Sequence, residues 1–77
     1  PMLARRSKLE GRAAVAFELD RSGAPQHVEL RYADHPLLGE AALLAVRSAS
    51  PFERLPDDLD DETLRVEVPL RFSLRDQ

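Results

Sequence analysis

The side chains best suited to catalysis or metal binding are few in this chain and lie far apart. His27 and His35 are its two histidines, and it contains no cysteine. A histidine acting as a general base needs a nucleophile and an orienting acid beside it, and the sequence offers neither histidine such partners. Two histidines without cysteine at this spacing also match no standard zinc motif. We therefore interpret both as surface histidines.

An acidic run at residues 57–62 is the other feature that suggests a ligand. Its acids are Asp57, Asp58, Asp60, Asp61 and Glu62. The run lacks the alternating oxygen ligands, central glycine and distal glutamate of a calcium loop, so we interpret it as a solvated loop. Orientation of a basic partner stays open as its alternative use. The chain also lacks a glycine-rich phosphate loop and a Gly-x-Ser-x-Gly motif, which argues against an enzyme.

Length and composition indicate one small globular domain over residues 1–77. The chain is 43% hydrophobic and 32% charged, and its net charge is −3 with both signs mixed along it. A chain this short buries one modest core and has no room for a deep catalytic cleft. Nucleic-acid binding would require clustered Lys and Arg, so we expect no nucleic-acid partner. No apolar run approaches the roughly 20 residues of a membrane-spanning helix, and no signal peptide is visible.

Two alternating segments joined by a turn predict a β-hairpin. The first has an apolar row at Ala13, Val15, Phe17 and Leu19. Residues 20–25 then carry Asp, Ser, Gly and Pro, which are typical of a hairpin loop. The second segment covers residues 26–33, with Val28, Leu30 and Tyr32 as its predicted inner row.

Two helices and a third strand complete the predicted order α-β-β-α-β. A short helix is predicted at residues 3–8, and a longer one from Pro36, a residue suited to a first helical turn, to Ala49. Residues 64–74 alternate strictly and predict the strongest strand. A right-handed crossover would place this strand beside the first, giving an α+β fold with a three-stranded antiparallel sheet in order 2-1-3 and both helices on one face. The residues expected to be nearly fully buried are Val15, Phe17, Leu30, Val46, Val68, Leu70 and Phe72.

A proline in the middle of the last strand predicts which side of that strand is free. Pro69 has no N–H, and proline in a sheet is confined to edges or bulges. Main-chain groups of alternate residues in a strand point to the same lateral side. We therefore expect Val66, Val68 and Leu70 to bond to the first strand. The residues expected to present their main chains at a free edge are Arg65, Glu67, Pro69, Arg71 and Ser73.

Such an edge has two compatible interpretations. Charges and proline discourage unwanted strand pairing, which is a common protection of exposed edges. The same edge can also accept an extended peptide as an additional strand, with its charges restricting which peptide pairs. The sequence pattern by itself favours protection against aggregation.

Short motifs along nearly the whole chain, in a characteristic order, carry a resemblance to a known family. They are Pro1 with Ala4-Arg5-Arg6, Leu9-Glu10-Gly11, the hairpin segment Phe17-Glu18-Leu19-Asp20-Arg21-Ser22-Gly23, the helix segment Leu37-Leu38-Gly39-Glu40-Ala41-Ala42-Leu43-Leu44-Ala45-Val46-Arg47, Pro51-Phe52, and Val68-Pro69-Leu70-Arg71-Phe72. In this order and spacing they resemble the C-terminal domain of TonB-family energy transducers.

The resemblance implies a binding domain that holds a partner peptide and transmits to it force derived from the proton gradient. It implies a periplasmic domain of an inner-membrane-anchored protein in a Gram-negative bacterium, with the anchor and linker outside this chain. The implied partners are the TonB box of outer-membrane transporters, which include siderophore transporters, and an ExbB/ExbD-like motor reached through the missing N-terminal region. No cofactor or metal is implied. The implied partner-binding residues are those of the last strand: Arg65, Glu67, Pro69, Arg71, Ser73 and Arg75.

Three other functions remain as alternatives. The same fold would serve a TolA-like protein or an envelope module associated with a pilus or secretion system. A small enzyme or ligand-binding domain belongs to a different class. A structural dimerisation domain would use the last strand to pair with a copy of itself.

Overall fold

The computed structural model describes residues 8–60 and 62–75 as three strands and one helix. They are β1 (Lys8–Asp20), β2 (Pro25–Ala33), α1 (Pro36–Ala49) and β3 (Thr63–Arg75). The antiparallel sheet has the order β2-β1-β3, which confirms the predicted sheet order and the α+β class. The predicted helix at residues 3–8 is not confirmed: residues 3–7 lie outside the described residues, and Lys8 already belongs to β1.

The two ladders of the sheet differ in regularity. β1 pairs with β3 without interruption from Lys8↔Arg75 to Asp20↔Thr63. The β1–β2 ladder instead shifts its register twice, once at Arg31 and once around His27, which has a φ of 52°. Each bulge inserts an unpaired residue and reverses the alternation of faces.

The bulge at Arg31 explains why the prediction for Tyr32 was wrong. Ala13 pairs with Ala33 and lies on the helix side, so Tyr32, paired with Ala14, lies on the opposite face. The Tyr32 side chain is 54% exposed instead of buried. Strict alternation over residues 26–33 could not reveal this change of face.

The core lies between β1 and α1. Val15, Phe17 and Val46 are buried as predicted, at 0%, 1% and 4% exposure. The prediction was wrong for Leu30, which is 38% exposed on the edge strand β2. It was also wrong for three residues of β3 that are only partly buried: Val68, Leu70 and Phe72.

The position of α1 accounts for the incomplete burial of β3. The helix packs on β1 and β2, and Leu38, Ala42 and Val46 on its inner side are buried. A helix is about 10 Å wide and strands are about 4.8 Å apart, so one helix covers roughly two strands. The helix-side row of β3 therefore lies beside α1 and is only partly covered in the described structure.

The segment after α1 is anchored to the hairpin turn. The Phe52 amide donates to the Gly23 carbonyl at 2.8 Å, and the Leu55 amide donates to the Arg21 carbonyl at 3.2 Å. A Cβ at Gly23, where φ is 90°, would collide with the Phe52 carbonyl, so glycine permits this approach. The Phe52 ring stacks on Phe17, with centroids 5.4 Å apart.

Candidate partner-binding edge

β3 forms one edge of the described sheet. It pairs with β1 on one side and is the last strand in the order β2-β1-β3. Its length, from Thr63 to Arg75, offers a long row of main-chain groups at that edge. A strand in this position is a template on which another chain can pair.

Contacts on the far side of β1 determine which main-chain groups face outward. The Arg12 amide donates to Asp34 Oδ2 at 2.7 Å, and the Arg12 carbonyl accepts from the Asp34 amide at 2.9 Å. Both polar main-chain groups of Arg12 therefore point toward β2. Arg12 lies directly opposite Arg71 of β3. In an antiparallel pair the two residues exchange both hydrogen bonds or neither, so the main chain of Arg71 points away from β1.

The same geometry extends along β3 because its register with β1 is continuous. Every second residue shares the orientation of Arg71. The residues that present main-chain groups at the outer edge are thus Thr63 at the start of the strand, followed by Arg65, Glu67, Pro69, Arg71, Ser73 and Arg75. Pro69 belongs to this set, where its missing N–H removes no bond to β1.

The side chains at positions 65, 67, 69, 71 and 73 extend from the face of the sheet opposite α1. They alternate with Val66, Val68, Leu70 and Phe72, which pack toward the core. The side chains at positions 65, 67, 69, 71 and 73 are exposed. Arg75 lies opposite Lys8 in the β1–β3 ladder, and its side chain lies outside the described part of the structure. The outer edge therefore combines main-chain groups that no described strand pairs with and a mixed set of charges.

The helix side of the same edge is apolar. A groove of about 110 Å³ runs between the end of α1 and β3. Its lining comes from three elements: Ala45, Val46, Ala49, Phe52, Val68 and Leu70. A strand added at the edge of β3 would place every second side chain on this side of the sheet.

The histidines lie away from this edge and have local roles. His35 is the N-cap of α1, and its Nδ1 accepts from the Leu37 amide at 3.1 Å. His27 Nδ1 lies 2.7 Å from Glu18 Oε1 at the surface, a partner that its sequence neighbours did not indicate. Neither contact includes a nucleophile.

The acidic loop is solvent-exposed wherever it is described. Asp57, Asp58, Asp60 and Glu62 are exposed, and Asp61 lies outside the described residues. Within residues 8–60 and 62–75, no group of acids and histidines is arranged to hold a metal ion. In that same part of the chain, no helix is long and apolar enough to cross a membrane.

One residue beside the edge was missed by the sequence interpretation. Arg12 lies on β1, in the polar row of the first strand, and its type gives no special signal. The register places it directly across from Arg71, on the face opposite α1. With the hairpin and the sheet order correctly predicted, counting residues along the ladder between the first and last strands could have identified this pair.

Comparison with known proteins identifies the family. The family described as Gram-negative bacterial TonB protein C-terminal matches residues 1–74 of the chain. Since this match covers nearly all of its 77 residues, the chain belongs to the TonB C-terminal family. Comparisons with curated proteins and with solved structures gave no match.

Family membership defines the general class of function. The chain is a TonB-like domain for protein interaction and is not an enzyme, as the sequence predicted. TonB C-terminal domains are periplasmic in Gram-negative bacteria. In general they interact with outer-membrane transporters.

Proposed function

We propose that this domain grips the TonB box of an outer-membrane transporter by adding it as a fourth strand at the outer edge of β3. The proposed contact residues are Arg65, Glu67, Pro69, Arg71, Ser73 and Arg75. Main-chain hydrogen bonds hold the peptide, and neighbouring side chains determine which peptide binds. Membership of the TonB C-terminal family supports this partner.

The observation that carries the proposal is the outward orientation of the β3 main chain. It follows from the Arg12–Asp34 contacts and the unbroken β1–β3 register. The apolar groove beside Val68 and Leu70 adds a place for alternate side chains of the same peptide. Edge and groove together suit an extended peptide with one apolar side.

A matched pair of variants tests the role of the main chain. Glu67→Pro removes an outward N–H donor but leaves the β1 ladder intact, whereas Glu67→Gln keeps the donor and removes only the charge. One hydrogen bond is worth about 0.5–1.5 kcal/mol, so Glu67→Pro should weaken binding of a TonB-box peptide by roughly 2–13-fold relative to Glu67→Gln. Calorimetric titration measures both affinities, and a thermal melt checks that both variants fold.

Hydrogen exchange locates the added strand independently. Addition of the peptide should slow exchange at the amides of Glu67 and Arg71. Protection confined to the outer side of β2, or equal affinity of the two Glu67 variants, would show that the peptide is not held at the β3 edge.

The larger role follows from the same proposal. We propose that the full-length protein is anchored in the inner membrane, contacts an ExbB/ExbD-like motor, and delivers energy from the proton gradient to transporters of cargo such as siderophores. In cells that depend on this gene for siderophore uptake, full-length protein with Glu67→Pro should support slower uptake than protein with Glu67→Gln. Normal uptake with Glu67→Pro would contradict this role for the edge.

Pairing of two copies through β3 is a second use of the same edge. It is favoured by the length of the strand and by its position at the end of the sheet. Pro69 and the edge charges oppose it. Sedimentation at increasing concentration would reveal a dimer, and binding of the TonB-box peptide should dissociate it if both use the same edge.

A further inference from the structure

We propose that Arg12 and Arg71 form a recognition site for a carboxylate side chain of the peptide that pairs with β3. This inference rests on the proposed function and specifies the chemistry of its partner. It assigns to the peptide an acidic residue at the position facing Arg71, with apolar residues on both sides of it.

The first observation is the placement of two like charges directly opposite each other. Arg12 and Arg71 form a pair that does not exchange hydrogen bonds, and such residues have Cα atoms about 4.5 Å apart. Their neighbours Ala13 and Leu70 pack on the helix side, so both arginines project from the other face. Like charges in this arrangement destabilise a sheet.

The second observation is that no described acid forms an ion pair with either arginine. The ion pairs found within residues 8–60 and 62–75 involve other residues. Two acids, Glu10 and Asp34, line the same cleft as the two arginines. Neither forms an ion pair with Arg12 or Arg71 within the described residues, and Asp34 instead accepts from the Arg12 amide at Oδ2 and from the Tyr32 hydroxyl at Oδ1. Both carboxylate oxygens of Asp34 thus have partners other than the guanidinium groups.

The third observation is that the pair is accessible from the edge. Arg12 and Arg71 both line an open cleft of about 620 Å³ and a second cleft of about 270 Å³ that includes Pro69. Arg71 stands on the edge strand, and Arg12 stands one strand further in. A carboxylate entering from the edge would meet two guanidinium groups, which bind carboxylates through pairs of N–H donors.

Sheet geometry then fixes where the acid must be in the peptide. A residue that faces Arg71 across the new ladder has its side chain on the same face as Arg71. The two adjacent peptide residues point to the helix side, beside Leu70 and the apolar groove. The ligand is therefore an extended segment with the local pattern apolar, acidic, apolar. Glu67, which lies on the same face, would disfavour an acid at its own facing position.

The test uses two synthetic peptides that alternate valine and threonine. In one, the central threonine is replaced by glutamate; in the other, it is replaced by glutamine. The glutamate peptide should bind the whole domain about 3–10-fold more tightly at low ionic strength, and added salt should reduce this difference. Arg12→Gln and Arg71→Gln should each reduce it, while Arg31→Gln, on the opposite edge strand, should leave it unchanged.

A measurement without peptide tests the repulsion itself. If the two arginines repel each other, Arg12→Gln and Arg71→Gln should each raise the Tm by roughly 1–4 °C, and Arg31→Gln should not. Unchanged or lowered Tm values for both variants would contradict the like-charge pair.

The outcomes separate this inference from the function on which it rests. Equal affinity of the two peptides, with slowed exchange at the Arg71 amide, would overturn the carboxylate site and leave strand addition intact. Failure of both peptides to bind would overturn strand addition at this edge and the carboxylate site with it. A preference for glutamate that survives Arg12→Gln and Arg71→Gln would place the acid elsewhere and refute the assignment.

Discussion

Replacement of Phe17 by alanine should be among the most damaging single changes in the domain. Phe17 lies on the central strand, is 1% exposed, and stacks on Phe52. Removal of a fully buried phenylalanine costs about 3–5 kcal/mol, and a domain of 77 residues is stable by roughly 4–12 kcal/mol. Phe17→Ala should therefore remove a large part of the free energy of unfolding.

Phe72→Ala provides the matched comparison because it removes the same side chain from β3. Full burial of Phe72 would have predicted the same cost. The structure leaves this residue only partly buried, so we expect about half the loss, roughly 1.5–2.5 kcal/mol. Urea unfolding followed by circular dichroism would measure both variants on one scale.

A double-mutant cycle refines the same prediction. If the rings of Phe17 and Phe52 stabilise each other, their coupling should be about 0.5–1.5 kcal/mol.

Equal losses of stability for Phe17→Ala and Phe72→Ala would refute the reasoning, because they would mean that the helix side of β3 is covered as well as that of β1.

The remaining predictions concern the edge, the hairpin turn and pH. Pro69→Val should increase self-association, measured by sedimentation, because it restores an outward N–H; an unchanged molecular weight would contradict an exposed edge. Gly23→Ala should lower the Tm and expose the loop to protease, since its Cβ would strike the Phe52 carbonyl; a parent-like melt would refute that packing. The Ser22 hydroxyl and backbone amides in the turn donate to Asp20 and hold the pKa of its carboxyl below the ordinary value. Asp20 therefore contributes stability above its unfolded pKa and loses it as pH falls through its folded pKa. The parent domain should therefore have a higher free energy of unfolding than Asp20→Asn above this acidic range, and the difference should shrink as the pH falls through it. Denaturant unfolding that shows the same difference at every pH would contradict this role of Asp20.

The local sequence was sufficient for the three strands, helix α1 and their order along the chain. Alternation in β1 placed Val15 and Phe17 inward, and Pro36 marked the start of the helix. The turn residues between the two strands fixed the hairpin, and crossover handedness then placed β3 beside β1. These features were predictable because each depends on residues close in sequence or on a general rule of chain connection.

The sequence also indicated the orientation of β3 through a single residue. Pro69 cannot donate to a ladder, so its position divides the strand into an inner and an outer set of main-chain groups. The Arg12–Asp34 contacts give the same division from the other side of β1. The assignment of the outer set as a binding site stays a prediction, because it concerns a partner.

Tertiary structure decided which faces and residues meet. The bulge at Arg31 turned Tyr32 away from the helix, and the single described helix lay over β1 and β2 and left Phe72 partly exposed. The ladder register set Arg12 against Arg71, although the two are far apart in the chain. Alternation specifies a face only while pairing is regular, and it carries no information on register between distant strands or on the area that one helix covers. Those quantities depend on packing across the whole domain, which no local pattern encodes.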